Sequence, residues 1–462
     1  MKDVLKKLLI SSRTKASKDE FSEILEWVKN KNENLKVNIR KNKLSESVFW
    51  FYDEEKGVIR NKNNSFFSIA GLRQYKDEVL VLEQPILIQD EIGYLGIICK
   101  EIDGVLHFLM QAKIEPGNVN KIQISPTIQA TKSNFTQMHG GKRPAYLEYF
   151  LSASCENILF DQIQSEQSSR FLGKRNRNIV IFVDEDIEVL PSHRFMTLGT
   201  IRQLMKIDNL VNMDTRTVLS CIPYSLLPIS EKDKHELSSM FDDVALFNSI
   251  FGETNNENFV KVYNTINDFK MLSGFKNETV PLNKLQNWSF TDEEIVCKDE
   301  YPFKVMFCDI EIEGREVTRW TQPLFEAVGM ATFGLIVSNF NDKTHFLVHL
   351  KHEVGCFDKI ELAPTVQLEA SANLSERDEI TERFFVLLES GAQKLTDVIL
   401  SEEGGRFYCE QNKNIIIKVA KEDVGELPDG YFWLDYKTLN RMVQYNNVLN
   451  IQLRNLISLL NI

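Results

Sequence analysis

The sequence predicts an α+β protein made of two copies of one mixed-sheet module, and three observations lead there. Residues 83–129 recur without a gap as residues 321–367: Gln84 and Gln322, His107 and His345, Lys113 and Lys351, and Pro126 and Pro364 are each 238 residues apart. The match reaches both flanks. Phe49, Phe51 and Asp53 are answered by Trp288, Phe290 and Asp292, while Asn212, Arg216 and Ser220 are answered by Asn450, Arg454 and Ser458. Finally, each copy passes from strand-like runs to helical sequence, the order of a mixed sheet with flanking helices. A period this long marks a duplicated domain, not a solenoid repeat.

The elements follow in order. Residues 1–43 form a helical leader, in which Phe21, Ile24, Leu25 and Val28 make an i, i+3, i+4, i+7 stripe. The first module spans 44–222. Its centre is a hairpin, with strands at 93–99 and 105–110 joined by an Asp103-Gly104 turn. Further strands are expected at 121–125 and 179–183, then helices at 198–206 and 215–222. Residues 223–282 read as a helical connector. The second module spans 283–462 and closes with helices at 434–443 and 453–460. Between the conserved ends, Ser165-Glu166 and Arg170-Phe171 pair with Ser401-Glu402 and Arg406-Phe407 at a spacing of 236.

Composition narrows the functional classes. With 462 residues, 43% of them hydrophobic and 26% charged, each module is large enough for its own core. The 66 acidic residues outnumber the 54 basic ones, and a net charge of -12 argues against a broad nucleic-acid-binding face. It leaves room for a small basic pocket. The seven cysteines are scattered, with no CxxC pair, which suits reduced thiols in the cytoplasm. Neither a secretory signal nor an apolar run of membrane-spanning length is expected.

Two strings are retained in both copies. In QAKIEPG, answered by HLKHEVG, Lys113 and Glu115 point to one strand face because side chains alternate with a period of two. They are either a solvated ion pair or a proton-transfer pair. In ISPTIQ, answered by LAPTVQ, Thr127 and Gln129 follow the end of a strand. They can bind a polyhydroxylated ligand, or satisfy local backbone.

Beyond Gln129 and Gln367 the copies part. Copy one carries Lys132, Asn134, His139, Gly140-Gly141, Lys142, Arg143, Tyr146 and Glu148, a composition suited to an anion-binding loop or to an ordinary solvated one. Copy two offers Glu376, Asp378 and Glu379, which repel a diphosphate, so any second pocket is expected to be structural or vestigial. His345, His349 and His352 do not share one strand face, and no metal site is expected there. The chain shows no Walker A, GxGxxG, HExxH or GxSxG pattern.

HFLMQAKIEPG, ISPTIQATKSNF, the HGG and YLEYF strings, FFSIAGLR at 66–73 and NMDTRTVLSC at 212–221 together resemble the NDP-hexose 2,3-dehydratases of deoxysugar biosynthesis. The resemblance covers most of the chain. It implies two tandem Nudix-like modules and a homodimer. The strands ending IQISPT and IELAPT sit where a Nudix protein has its ELPGG, but no REUxEE carboxylates follow, so a metal-dependent pyrophosphohydrolase is not expected.

The implied substrate is a nucleotide-linked 4-keto-6-deoxyhexose, with dTDP the leading carrier and GDP and CDP left open. A base takes the C3 proton, the C2 hydroxyl leaves, and the enol becomes a 3,4-diketo-2,6-dideoxy sugar; no cofactor is needed. An NADPH-dependent 3-ketoreductase would consume the product. Proton transfer is assigned to Lys113, Glu115 and Tyr146, with His139 the alternative base. Thr127, Gln129 and Asn134 are assigned to sugar oxygens, and Lys132, Arg143 and Arg170 to the diphosphate. The competing reading is a non-catalytic sugar-nucleotide-binding or scaffolding protein.

Overall fold

The computed structural model of the protein describes residues 3–131, 143–313, 318–370 and 377–462. Each half holds a seven-stranded mixed sheet. In the first half the order is Ile158–Ser165, Arg175–Phe182, Gly93–Ile102, Val105–Ile114 and His193–Met196, with Ile122–Ser125 paired to Val105–Ile114 and Ile128–Ala130 to Gly93–Ile102. Arg175–Phe182 runs parallel to Gly93–Ile102, whereas the other pairings are antiparallel. The second half repeats this arrangement around Ala331–Phe340 and Lys343–His352. The expected hairpin forms at Asp103-Gly104, where φ values of 50° and 79° give the left-handed turn that suits twisted strands.

Two smaller sheets bind the halves together by exchanging strands. Val37–Asn42, expected to be helical up to residue 40, is a strand paired with Phe303–Ile312 of the second half. Its counterpart Phe275–Val280 pairs with Ser68–Lys76 of the first half. A lone six-residue segment has no means of choosing strand over helix; the open sheet edge supplied by the other half decides.

The duplication reaches further than the matching strings. Helices Val4–Arg13 and Lys18–Glu33 reappear as Val244–Phe251 and Glu257–Leu272, and the residues 223–282 read as a connector therefore carry the second copy's own leading helices. Hydrogen bonding shows the equivalence. Ser11 Oγ donates to Leu106 O and accepts from Leu198 N, while Ser249 Oγ donates to Thr344 O and accepts from Tyr436 N. In the Lys18–Glu33 helix Ile24 and Val28 are buried, with Phe21 and Leu25 packed beside them. The helix expected at 434–443 starts later, as Tyr436–Met442 capped by Asp435, because Tyr431–Asp435 is taken up as a sheet strand.

At the centre, helices Met213–Ser220 and Ile451–Ser458 pack against each other with every residue buried. Arg216 and Arg454 reach from them across to the opposite half: Arg216 donates to Val211 O and Ser401 O, both at 2.9 Å, and Arg454 donates to Leu449 O, Thr217 and Ser165 O. Among the described residues no helix is long and apolar enough to cross a membrane. All seven cysteines are free thiols.

Candidate active site between the two halves

A cavity of about 850 Å³ opens where the first half's large sheet meets the second half. The strand Val105–Ile114 and the residues just after it deliver Lys113 and Glu115, as the alternation of side chains predicts. Lys113 Nζ lies 3.0 Å from Glu115 Oε1, and Glu115 is only 5% exposed. Gln129 Nε2 donates to the same oxygen at 2.9 Å, and Asn212 holds Gln129 in turn at 3.2 Å. The carboxylate is thus oriented by two donors rather than left to rotate.

Pro116 and Gly117 then bring in the other half. A Cβ on Gly117 would stand 1.6 Å from Phe407 O, and Gly117 N donates to Gly404 O at 2.7 Å. That close approach explains why the Lys-x-Glu-x-Gly spacing is kept in both copies: Gly355 meets Phe171 O and Ser168 O in the same way. Each half therefore presents its loop to the other half's Lys-Glu pair. The loop from the second half places Glu403, Gly405 and Arg406 in the cavity, and its small sheet adds Asp309, Arg319, Trp320, Thr321 and Gln322. Phe49, Trp50, Phe66, Phe67 and Tyr94 supply aromatic wall.

Beside Glu115 and Lys113 the cavity gathers the carboxyls of Glu166, Asp214 and Glu403 and the cations Lys174 and Arg406. Asn176 donates to Glu166 at 2.6 Å, Gly405 N donates to Glu403 at 2.9 Å, and Arg406 reaches Gln89 at 3.2 Å with its guanidinium 4.3 Å from the centre of the Phe67 ring. Lys174 donates to Glu91 O, and burial lowers its pKa to about 8 despite the attraction of Glu166. Burial raises Glu403, with Glu115 and Glu166 adding to the rise and Arg406 opposing it. Burial likewise raises Glu166 against Lys174 and Arg454.

Among the described residues, the other expected site residues fall elsewhere. Thr127 is corrected to a structural role: its hydroxyl donates to Leu109 O and accepts from Ile98 N, and Thr365 does the same with Leu347 O and Ile336 N. Tyr146 does not line the cavity. Its hydroxyl donates to Glu188 O at 2.9 Å and accepts from Leu190 N at 3.0 Å, so it cannot join Lys113 and Glu115 in this arrangement.

Arg143 pairs with Glu148 at the surface, and the neighbouring Pro144 is the cavity-lining residue. Arg170, assigned to the diphosphate, faces the second half, where it pairs with Glu369 at 3.3 Å and lies over Phe303; its repeat partner Arg406 occupies the cavity instead. Lys132, Asn134 and His139 lie outside the described residues. Rings of His345, His349 and His352 each contact a backbone carbonyl through Nδ1.

Sequence reasoning missed Glu166, Lys174, Asp214, Glu403 and Arg406. For three of these the available signal was difference between the copies: Lys174 is answered by Glu410, Asp214 by Gln452 and Glu403 by Gln167, whereas Glu166 and Arg406 are answered by Glu402 and Arg170. Thr127, alike in both copies, serves the fold that both copies share.

Comparison with known proteins agrees with the doubled architecture. The family model for NDP-hexose 2,3-dehydratase matches residues 21–222 and again 260–460. A dTDP-4-dehydro-6-deoxy-alpha-D-glucopyranose 2,3-dehydratase from Saccharopolyspora spinosa is 37% identical over 418 residues, covering 89% of this chain and 85% of the relative. Proteins of the same description from Streptomyces violaceoruber and Amycolatopsis orientalis are each 33% identical, covering 94% and 89% of this chain and 95% and 84% of the relatives. A solved ADP compounds hydrolase aligns with a TM-score of 0.19 at 16% identity, over 33% of this chain and 78% of its own. Both repeats thus match one model, and the chain belongs to the NDP-hexose 2,3-dehydratase family.

Proposed function

We propose that the chain removes water across C2 and C3 of dTDP-4-keto-6-deoxyglucose, in the cavity between the halves. The observation that carries the reading is the Lys113–Glu115 pair, oriented by Gln129 and opening into a cavity large enough for a sugar nucleotide. The printed descriptions of the relatives supply the substrate. Glu115 takes the C3 proton, made acidic by the C4 ketone, and the Lys113 ammonium faces the developing enolate oxygen. Arg406 and Lys174 offer positive charge to the diphosphate, and the aromatic wall around Trp50 and Trp320 offers faces for the base. Lys132 and Asn134 remain assigned to substrate, and His139 as the alternative base, by their chemistry alone.

The two large sheets are read as Nudix-like modules, and the chain as a homodimer working in the cytoplasm, where free thiols stay reduced. The test of function is incubation with dTDP-4-keto-6-deoxyglucose, with an NADPH-dependent 3-ketoreductase present to trap the product. Mass spectrometry should show a trapped product that has lost one water and gained two hydrogens from the reductase, and Lys113→Met and Glu115→Gln should each slow its formation about 100-fold or more. Binding of the nucleotide sugar without water loss by the wild-type protein would favour the scaffolding reading.

A further inference from the structure

Asp214 is the one buried cavity-lining carboxyl whose two oxygens both lack a hydrogen-bond partner among the described residues, and it is 1% exposed. The three carboxyls around it differ. Glu115 accepts from Lys113 and Gln129, Glu166 from Asn176, and Glu403 from Gly405 N. Asp214 receives no such bond. It lies in the first turn of the Met213–Ser220 helix, where the backbone dipole favours a carboxylate. Burial, reinforced by Glu166, Glu403 and Glu115, outweighs that dipole and the attraction of Lys113, and raises the Asp214 carboxyl well above its usual range.

The second half shows what the same position looks like without an acid. Gln452 stands there, equally buried in the paired helix and with both amide atoms unpartnered, and an amide cannot supply a proton. In the repeat, Gln167 and Glu410 take the sequence positions of Glu403 and Lys174.

We propose that Asp214 is the acid that protonates the departing C2 hydroxyl, a catalytic residue distinct from the Lys113–Glu115 pair that removes the C3 proton. The assignment rests on the dehydratase reading above. In the first step Glu115 takes the C3 proton, and the electrons of that C–H bond form the C3–C4 enolate. In the second the enolate collapses, restoring the C4 carbonyl and forming a C2–C3 double bond. The C2–O bond breaks, and its oxygen leaves as water carrying the Asp214 proton. The enol then gains a proton at C2 and loses that of its C3 hydroxyl. Proton transfer from Glu115 back to Asp214 resets the site.

The two steps are separable by experiment. In deuterated water, wild-type protein with dTDP-4-keto-6-deoxyglucose should exchange the C3 proton and release water. Asp214→Asn, checked for fold by circular dichroism and thermal melting and for dTDP binding by calorimetry, should keep C3 exchange within about threefold while water loss falls about 100-fold or more. Asp214→Glu should recover part of the loss. The tolerance of a carboxamide at position 452 makes a folded Asn variant the expectation.

Water loss by Asp214→Asn within about tenfold of wild type would overturn the assignment. So would equal loss of exchange and dehydration in a folded, dTDP-binding variant, which is what a positioning role or a base would give. Neither exchange nor water loss in the wild-type protein would overturn the dehydratase reading itself, and the acid assignment with it.

Discussion

A serine hydroxyl at the seam shows how duplicated residues acquire different physics. Ser401 Oγ accepts from Gln123 at 2.5 Å, while its repeat partner Ser165 donates to Glu361 at 2.8 Å. Glu361 is 1% exposed, and burial raises its pKa to about 8, although Ser165 and Arg454 pull it down. The folded protein therefore keeps a proton that the unfolded chain has released anywhere between the ordinary carboxylate value and about pH 8. In that window the unfolded state binds fewer protons, so stability falls as pH rises through it. Glu361→Gln copies the residue that copy one already uses. Its melting temperature should gain on wild type as pH rises from about 5 to about 8, and a gap that stays constant across this range would refute the buried, proton-holding Glu361.

Elements matter here through the loops they carry. The Glu402–Phe407 stretch is fastened from two sides, by Arg216 donating to Ser401 O and by Gly117 meeting Gly404 and Phe407 backbone. The two contacts seat the loop that carries Glu403 and Arg406 into the cavity. Gly117→Ala puts a methyl group into backbone that has no room to move aside. Overpacking of this kind costs about 1–3 kcal/mol, and the displaced loop should take dehydration down with it. Calorimetric melting and turnover would be measured together. A variant with unchanged stability and full activity would show that the loop is not seated by this contact.

Taken whole, the chain is two interlocked halves, since each lends a strand and a loop to the other. The interlock accounts for the retention of a second half whose own Lys351 donates to Gln367 O and whose Glu369 ties up Arg170 of the first half. That half completes the first half's cavity. Outside this interlock, Val79, Val81, Met271 and Leu272 are left half or more exposed around the Asp77 turn, where Asp77 N meets Gly274 O. Exposed apolar residues gathered in this way suit a protein interface, and they are the surface on which the proposed homodimer would rest. Sedimentation equilibrium should give twice the chain mass of 53.5 kDa. A stable monomer at working concentration would contradict the dimer.

By itself the sequence determined the α+β class, the duplication, the central hairpin and the shared face of Lys113 and Glu115. These depend on periodicity and on repeats, which are local or internal to the string. Tertiary structure alone decided that Val37–Asn42 is a strand, that Thr127 is consumed by backbone, and that Arg406 rather than Arg170 enters the cavity. A hydroxyl or guanidinium has the same covalent chemistry wherever it lies. Its role is set by which groups the other half brings within hydrogen-bonding distance, and that proximity is a property of the folded chain.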